Sequence, residues 1–297
     1  MLHKRAGLNN QVLKFYCGEK AVTLRSKKLE LMEELNVDEI MALQAFGMRD
    51  AEIMKMRLVD FDRMLETEPD LEDMLDKANE LLDRQEKQGV VSISWHAVEF
   101  PDRLRKIGSD CPAVIHCKGN VGLLTRPNAV AVIGARAADK EGNAAAYRIG
   151  RRYASEGNVI VSGLALGCDT AAHKGCLDAG GETIAIVGNG LDICHPKENV
   201  RLMEQILVSD GLLLSEQLFG VKANPRRLVA RNRLQAALSN AVILAQCPAH
   251  SGSLHTMRFA REYRKKSYAV NFPKWTAVNA GNRMLIEEGL AEALPVF

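Results

Sequence analysis

Residues suited to holding a phosphate recur in this chain directly behind short apolar runs. Gly134-Ala135-Arg136 closes one such run, and Ser162, Gly163 and Gly167 lie in "SGLALGCDTAAH" (162–173) behind another. Gly188, Gly190 and Lys197 fall in "GNGLDICHPKEN" (188–199), and Ser251, Gly252 and Ser253 open "SGSLHT" (251–256). Glycine lets a backbone approach an anion closely, and free N–H groups at helix starts attract it. The stretch 222–233 holds Lys222, Arg226, Arg227, Arg231 and Arg233, with Asn232 between the last two and no acidic residue. Guanidinium forks match phosphate oxygens in bidentate fashion and stack on base faces. Arg231 and Arg233 fall at a predicted helix start, where the dipole disfavours cations unless an anion joins them. The chemistry these residues suit is the grip of a phosphate chain.

Other chemistry has little to work with. There is no G-x-x-x-x-G-K-[ST] loop, and Ile193 stands where a dinucleotide fingerprint begun at Gly188-Asn189-Gly190 would need glycine. No H-E-x-x-H, G-x-S-x-G or paired-carboxylate arrangement is present. Asp169 and His173, at i and i+4, could form a general-base pair, but a structural hydrogen bond that fixes the loop is the simpler account. Ser251 and Ser253 have no base placed beside them, so capping and phosphate contact fit better than nucleophilic attack. Cys168, near a helix start, could carry a lowered pKa, but packing is the preferred role. The sequence therefore predicts no catalytic residues, no cofactor and no metal.

The elements that must position these loops are legible. Apolar β-branched runs occur at "AVAVIG" (129–134), "VIVSG" (159–163), "TIAIVG" (183–188), "LLLSE" (212–216), "AVILA" (241–245) and "SYAVN" (267–271). Stretches of helical character at 142–157, 169–180, 198–208, 231–239 and 251–264 separate them. Near-continuous apolar strands alternating with helices predict an α/β fold: a doubly wound, parallel, Rossmann-like sheet covered on both faces. Ligands then bind beyond the carboxyl ends of the strands, at the switch in strand order, which is where the Gly, Ser and Arg clusters fall. Upstream, apolar residues at helical spacing from Leu29 to Leu75 predict a small helical accessory domain over residues 1–88, with Gly47 at a turn and Asp50 as a helix cap. Residues 89–297 form the main domain, with 89–128 as a strand-and-loop lead-in.

Bulk composition narrows the class. The 297 residues are 47% hydrophobic and 26% charged, a globular profile, and the net charge of +2 means that any nucleic-acid role must rest on local clustering. No apolar run approaches the roughly 20 residues that cross a bilayer, and Lys4 and Arg5 have no apolar run behind them, so neither membrane span nor secretory signal is expected. The 7 cysteines are odd in number and scattered without a C-x-x-C pair, which suits a reducing cytoplasm. The run Arg258, Arg261, Arg264, Lys265, Lys266 is most simply a solvated face, with secondary DNA contact as the alternative.

Taken in order, these loops resemble the DprA/Smf family of bacterial DNA-processing proteins. The resemblance rests on Gly134-Ala135-Arg136, the segments 162–173 and 188–199, Ser215-Glu216, "LVARNRLQAALS" (228–239), "SGSLHT" (251–256) and "GNRMLIEEG" (281–289), with "FPDRLRKIGSDCPAVIHCKGN" (100–120) leading in. Three positions depart from the family pattern: Leu166 replaces a basic residue, Leu228-Val229 replace Phe-Pro, and His195 replaces an aromatic. The resemblance implies single-stranded DNA binding without chemical change, loading of a RecA-type recombinase, a role in natural transformation, and a homodimer. Two alternatives are a nucleotide-binding sensor and a LOG-like nucleoside-monophosphate phosphoribohydrolase. The latter family carries a catalytic carboxylate in P-G-G-x-G-T-x-x-E, which "SGSLHT" lacks.

Overall fold

The computed structural model describes residues 34–296; the expectations that fall on residues 1–33, including the absence of a secretory signal and the helical start at Leu29, lie outside the described residues. Nine strands form one sheet: β1 (Val90–Ser94), β2 (Val114–Gly119), β3 (Ala129–Ile133), β4 (Val159–Ser162), β5 (Thr183–Ile186), β6 (Leu212–Ser215), β7 (Ala241–Leu244), β8 (Lys266–Asn271) and β9 (Glu292–Pro295). Their order is β1-β2-β6-β5-β4-β3-β7-β8-β9. From β6 to β9 the strands are parallel, as expected from their unbroken apolar runs. The lead-in departs from an all-parallel sheet: β2 pairs antiparallel with β6 and β1 antiparallel with β2. Strand β9 had no sequence signal, because its four residues are mostly exposed at the sheet edge.

Helices cover both faces. Along β3, Ala129, Ala131 and Ile133 join one core with Leu234 of α10 (Asn232–Leu238) and Met257 of α11 (Ser253–Glu262). Val130 and Val132 join the other core with Ile149 of α6 (Lys140–Ser155) and Ala172 of α7 (Cys168–Asp178). Each fully buried Val or Ile of this kind contributes roughly 1.5–3 kcal/mol of hydrophobic stabilisation. Chain order also places α8 (Val200–Val208), α9 (Pro225–Ala230) and α12 (Ala280–Glu287). The strand order reverses at β3: the chain leaves it toward β4, β5 and β6, then returns to β7 on its other side.

The N-terminal helices are α1 (Val37–Phe46), α2 (Asp50–Ile53), α3 (Leu58–Thr67) and α4 (Pro69–Glu86); α5 (Asp102–Arg105) lies between β1 and β2. Their core takes in Ala113 and Val114, which seats them on the antiparallel strands. Gly47 ends α1 at φ 101°, but Asp50 is the first residue of α2 rather than its cap and accepts a hydrogen bond from Gln44 Nε2 at 2.7 Å. At the seam, Gln85 of α4 donates to Ser92 of β1 at 3.0 Å, and Ser92 Oγ meets His116 Nδ1 of β2 at 2.8 Å. Gln85 Oε1 and His116 Nε2 have no protein partner, and burial lowers the His116 pKa to about 4. No helix among the described residues is long and apolar enough to cross a membrane.

Candidate nucleic-acid interface

A cleft of about 460 Å³ opens beyond the carboxyl ends of β3 and β7, at the reversal of strand order, where theory places a ligand in an open α/β sheet. Gly134, Arg136, Arg231, Asn232, Ser251, Gly252 and Ser253 all line it. Seven of the fourteen residues expected in the site are thus gathered from three separate connections.

The floor is tightly knit. Ala135 N donates to Gln246 O at 2.7 Å, and Cys168 N donates to Ala135 O at 3.2 Å, so the loops after β3 and β7 and the start of α7 hold one another. A methyl group on Gly134 would overlap Cys168 Sγ, which is why glycine is required there. Gln246 closes the arrangement: its Nε2 donates to Asp139 Oδ1 at 2.9 Å, and its Oε1 accepts from Asp139 N at 3.1 Å. Burial pushes the Cys168 thiol up to about 12, so it packs rather than reacts.

Arg231 is the centre of the floor and is only 6% exposed. Its guanidinium donates to Gly163 O at 2.6 Å, to Ile186 O, and to Asn232 Oδ1 at 3.1 Å. It therefore ties the ends of β4 and β5 to the α9–α10 junction, and a Cβ on Gly163 would collide with it. Its nearest carboxylate, Asp169 Oδ2, stands 3.9 Å away. Burial lowers the Arg231 pKa; Asp169 opposes that shift and Arg136 adds to it, so the two arginines sense each other. Burial likewise raises the Asp169 pKa against the pull of Arg231. Arg136 is exposed and, among the described residues, has no hydrogen-bond or ion-pair partner. At the opposite wall Ser251 and Gly252 lead into the ten-residue α11, which begins at Ser253; the position of Gly252 faces open space, and Asn232 Nδ2 donates to Gly252 O at 3.3 Å.

The remaining expectations fall elsewhere. Arg233, expected at the phosphate rim, lies outside the cleft: its guanidinium is paired with Glu216, with Nη1 2.7 Å from Oε2, and its Nε donates to Asp110 O at 2.7 Å. Two residues of helix rotate its side chain by about 200° from Arg231, which turns it to the other face. Ser162 is fully buried, and its hydroxyl donates to Val132 O at 2.7 Å. Gly188 packs on the backbone of Arg227 and Leu228, and Gly190 on Leu218 O; both are glycine for protein contact, and neither lines the cleft. Gly167 turns at φ 76° against Ala135 O. Lys197 is exposed on a short 3₁₀ turn outside the cleft, while its neighbour Asn199 donates to Leu164 O and Thr170 Oγ1 at 2.8 Å each. Asp169 and His173 form no mutual hydrogen bond: Asp169 accepts from Ala165 N at 3.4 Å, and His173 Nδ1 meets Thr183 Oγ1 at 2.7 Å.

Beside the main cleft lies a smaller one of about 210 Å³, which shares Arg136, Ala165, Leu228 and Arg231 and adds Gly163, Leu166, His195 and Pro196. Leu166 is 39% exposed there, an apolar surface next to the cation pair. Gln235 and His250, which line the main cleft, and Gln246, buried beneath it, were not anticipated. Gln246 had a usable signal, a polar residue directly behind the apolar run of β7; His250 had none.

A doubly wound sheet with a cation-floored cleft at its switch point, and no dinucleotide fingerprint, defines a protein of Rossmann-like class. Within that class the chain belongs to the DNA recombination-mediator protein A family, also called DprA/Smf, whose pattern matches residues 92–296. It is 41% identical to DNA processing protein DprA of Streptococcus pneumoniae over 180 residues, 61% of this chain and 63% of that one. It is 39% identical to Protein Smf of Synechocystis over 141 residues, 48% of this chain and 35% of the relative. The matched segments thus span less than two thirds of these two relatives. The X-ray structure of the pneumococcal DprA superimposes with a TM-score of 0.72 at 32% identity, covering 88% of this chain and 95% of that one. A DprA structure from Helicobacter pylori, described as showing that protein's single-stranded DNA binding mode, gives 0.60 at 32%, covering 69% and 90%.

Proposed function

We propose that the carboxyl-edge cleft grips the sugar-phosphate backbone of single-stranded DNA without altering it chemically. Arg136 supplies the mobile cation, Arg231 the fixed one, and the Ser251–Ser253 turn supplies hydroxyls and the open end of α11. The observation that carries this is the pairing of a buried, half-compensated Arg231 with a free Arg136 in one cleft. We further propose that the bound strand is protected and handed to a RecA-type recombinase, that the protein works as a cytoplasmic homodimer in recombination and natural transformation, and that residues 1–88 are an accessory domain. The Helicobacter relative's description supports the DNA reading.

A filter-binding titration of an oligothymidine against salt tests the grip. The wild-type chain binds at low salt, and Arg136→Ala lowers the slope of log K against log salt by about 0.7, the contribution of one phosphate on a single strand. Absence of binding at low salt, with AMP or another mononucleotide raising the melting temperature instead, would transfer the cleft to the nucleotide-sensor reading. Sedimentation equilibrium checks the dimer.

A further inference from the structure

A second cation-lined cleft, of about 580 Å³, lies at the opposite edge of the sheet and plays no part in the site above. Helix α11 starts at the main cleft with Ser253 and ends at this one with Glu262, some 15 Å of helix at 1.5 Å per residue. Arg103, Lys106, Arg264 and Lys265 line it, against the carboxylates of Asp110 and Glu262. Neither carboxylate serves these cations: Asp110 accepts the Tyr263 hydroxyl at 2.7 Å, and Glu262 pairs with Arg258 at 3.5 Å.

Two of the cations are anchored by backbone. Arg103 Nη1 donates to Leu238 O at 2.6 Å and its Nη2 to Pro127 O at 2.6 Å, while Lys265 Nζ donates to Ala237 O at 2.9 Å. Burial lowers the Lys265 pKa, and Arg103 and Lys106 lower it further. Cations gathered at one cleft without carboxylate partners favour an anion among them. Lys106 and Arg264 are exposed on its rim, without carboxylate partners among the described residues. Between the two clefts Arg258 and Arg261 are exposed on α11, three residues apart on one stripe that leads toward Arg264 and Lys265 beyond the helix end.

We propose that this amino-edge cleft is a second phosphodiester site, which takes the same strand after it leaves the main cleft along the α11 stripe. The proposal rests on the single-stranded DNA reading of the main cleft and adds to it a path and a direction. It requires a strand long enough to run the length of α11, so the two sites separate by oligonucleotide length.

The test compares oligothymidines of about 3 and about 30 nucleotides: at about 3.4 Å per stacked nucleotide the first is shorter than α11 and the second many times longer. The triple variant Lys106→Gln, Arg261→Gln, Arg264→Asn removes three exposed cations; asparagine tolerates the left-handed backbone of residue 264, at φ 55°. On the long strand the salt slope falls by about 2, three phosphates at 0.7 each, and on the short strand it is unchanged. An unchanged slope on the long strand overturns the proposal while leaving the main cleft intact. Failure of the short strand to bind the wild-type chain overturns the main-cleft reading instead. In the unmodified protein, the long strand protects Lys106 from an amine-reactive reagent and the short strand does not. Protection by polyglutamate but not by the long strand would assign this surface to an acidic protein and overturn the DNA path.

Discussion

Buried polar groups occur in two regions of this molecule, the carboxyl-edge cleft and the seam between α4 and the antiparallel strands, and they end differently. At the cleft, the donors of Arg231 run to Gly163 O, Ile186 O and Asn232, and the network stops at a surface that carries the unpaired Arg136. At the seam, Gln85, Ser92 and His116 satisfy one another in part, and the two leftover atoms, Gln85 Oε1 and His116 Nε2, face protein. Both regions hold structure together. Only the first presents cations and a helix start to solvent, which suits it to an anion where the second is a joint.

The comparison can be broken or sharpened by substitution, beginning with the largest effect. Arg231→Ala leaves two strand-end carbonyls and Asp169 without their cation; removing one partner of a buried pair costs about 3–5 kcal/mol, read as a lower midpoint in urea. A variant as stable as the wild type would show that the floor is not held by this residue. Acid acts next, and on the seam. His116 has a folded pKa of about 4 against an unfolded value of about 6.5, so the unfolded chain binds more protons between those values. Stability is then constant above about pH 6.5 and falls as pH drops toward 4, by about 3 kcal/mol from this group. His173, lowered to about 3 by burial and by Arg231, extends the loss to lower pH. His116→Gln should flatten the part of the melting-temperature profile due to the seam; an unaltered profile would locate the acid sensitivity elsewhere. Gly163→Ala drives a methyl into the Arg231 guanidinium and costs about 1–3 kcal/mol by overpacking, measured by thermal melting. Smallest in stability is Arg136→Ala, within about 0.5 kcal/mol of wild type because the side chain is exposed and unpartnered, although DNA binding weakens. Equal loss of stability and binding in that variant would erase the contrast between a binding arginine and a structural one.

Arg231 and Arg233 show where sequence reasoning stops. Both follow from one basic stretch with no acidic residue, and both look alike as phosphate ligands. Two positions apart on a helix, they point to different neighbours, and the carboxylate that takes Arg233, Glu216, lies 17 residues upstream behind another strand. The glycines divide in the same way. Gly134 serves the cleft, whereas Gly188 and Gly190 make room for backbone that arrives from α9 and Leu218. Strand β9 and the antiparallel pairing of β1 and β2 were beyond reach because pairing partners are set by long-range contact rather than by period.

The sequence by itself determined the six central strands, the helices between them and the edge of the sheet at which the Gly, Ser and Arg loops emerge. Apolar periodicity and loop composition are local properties that burial on both faces translates directly into layers. Only the tertiary structure decided which cation is free and which is committed, since charge is read from sequence but its compensation depends on atoms brought from distant strands. That division is why Arg136 and Arg231 share one cleft while Arg233, two residues from Arg231, belongs to the interior.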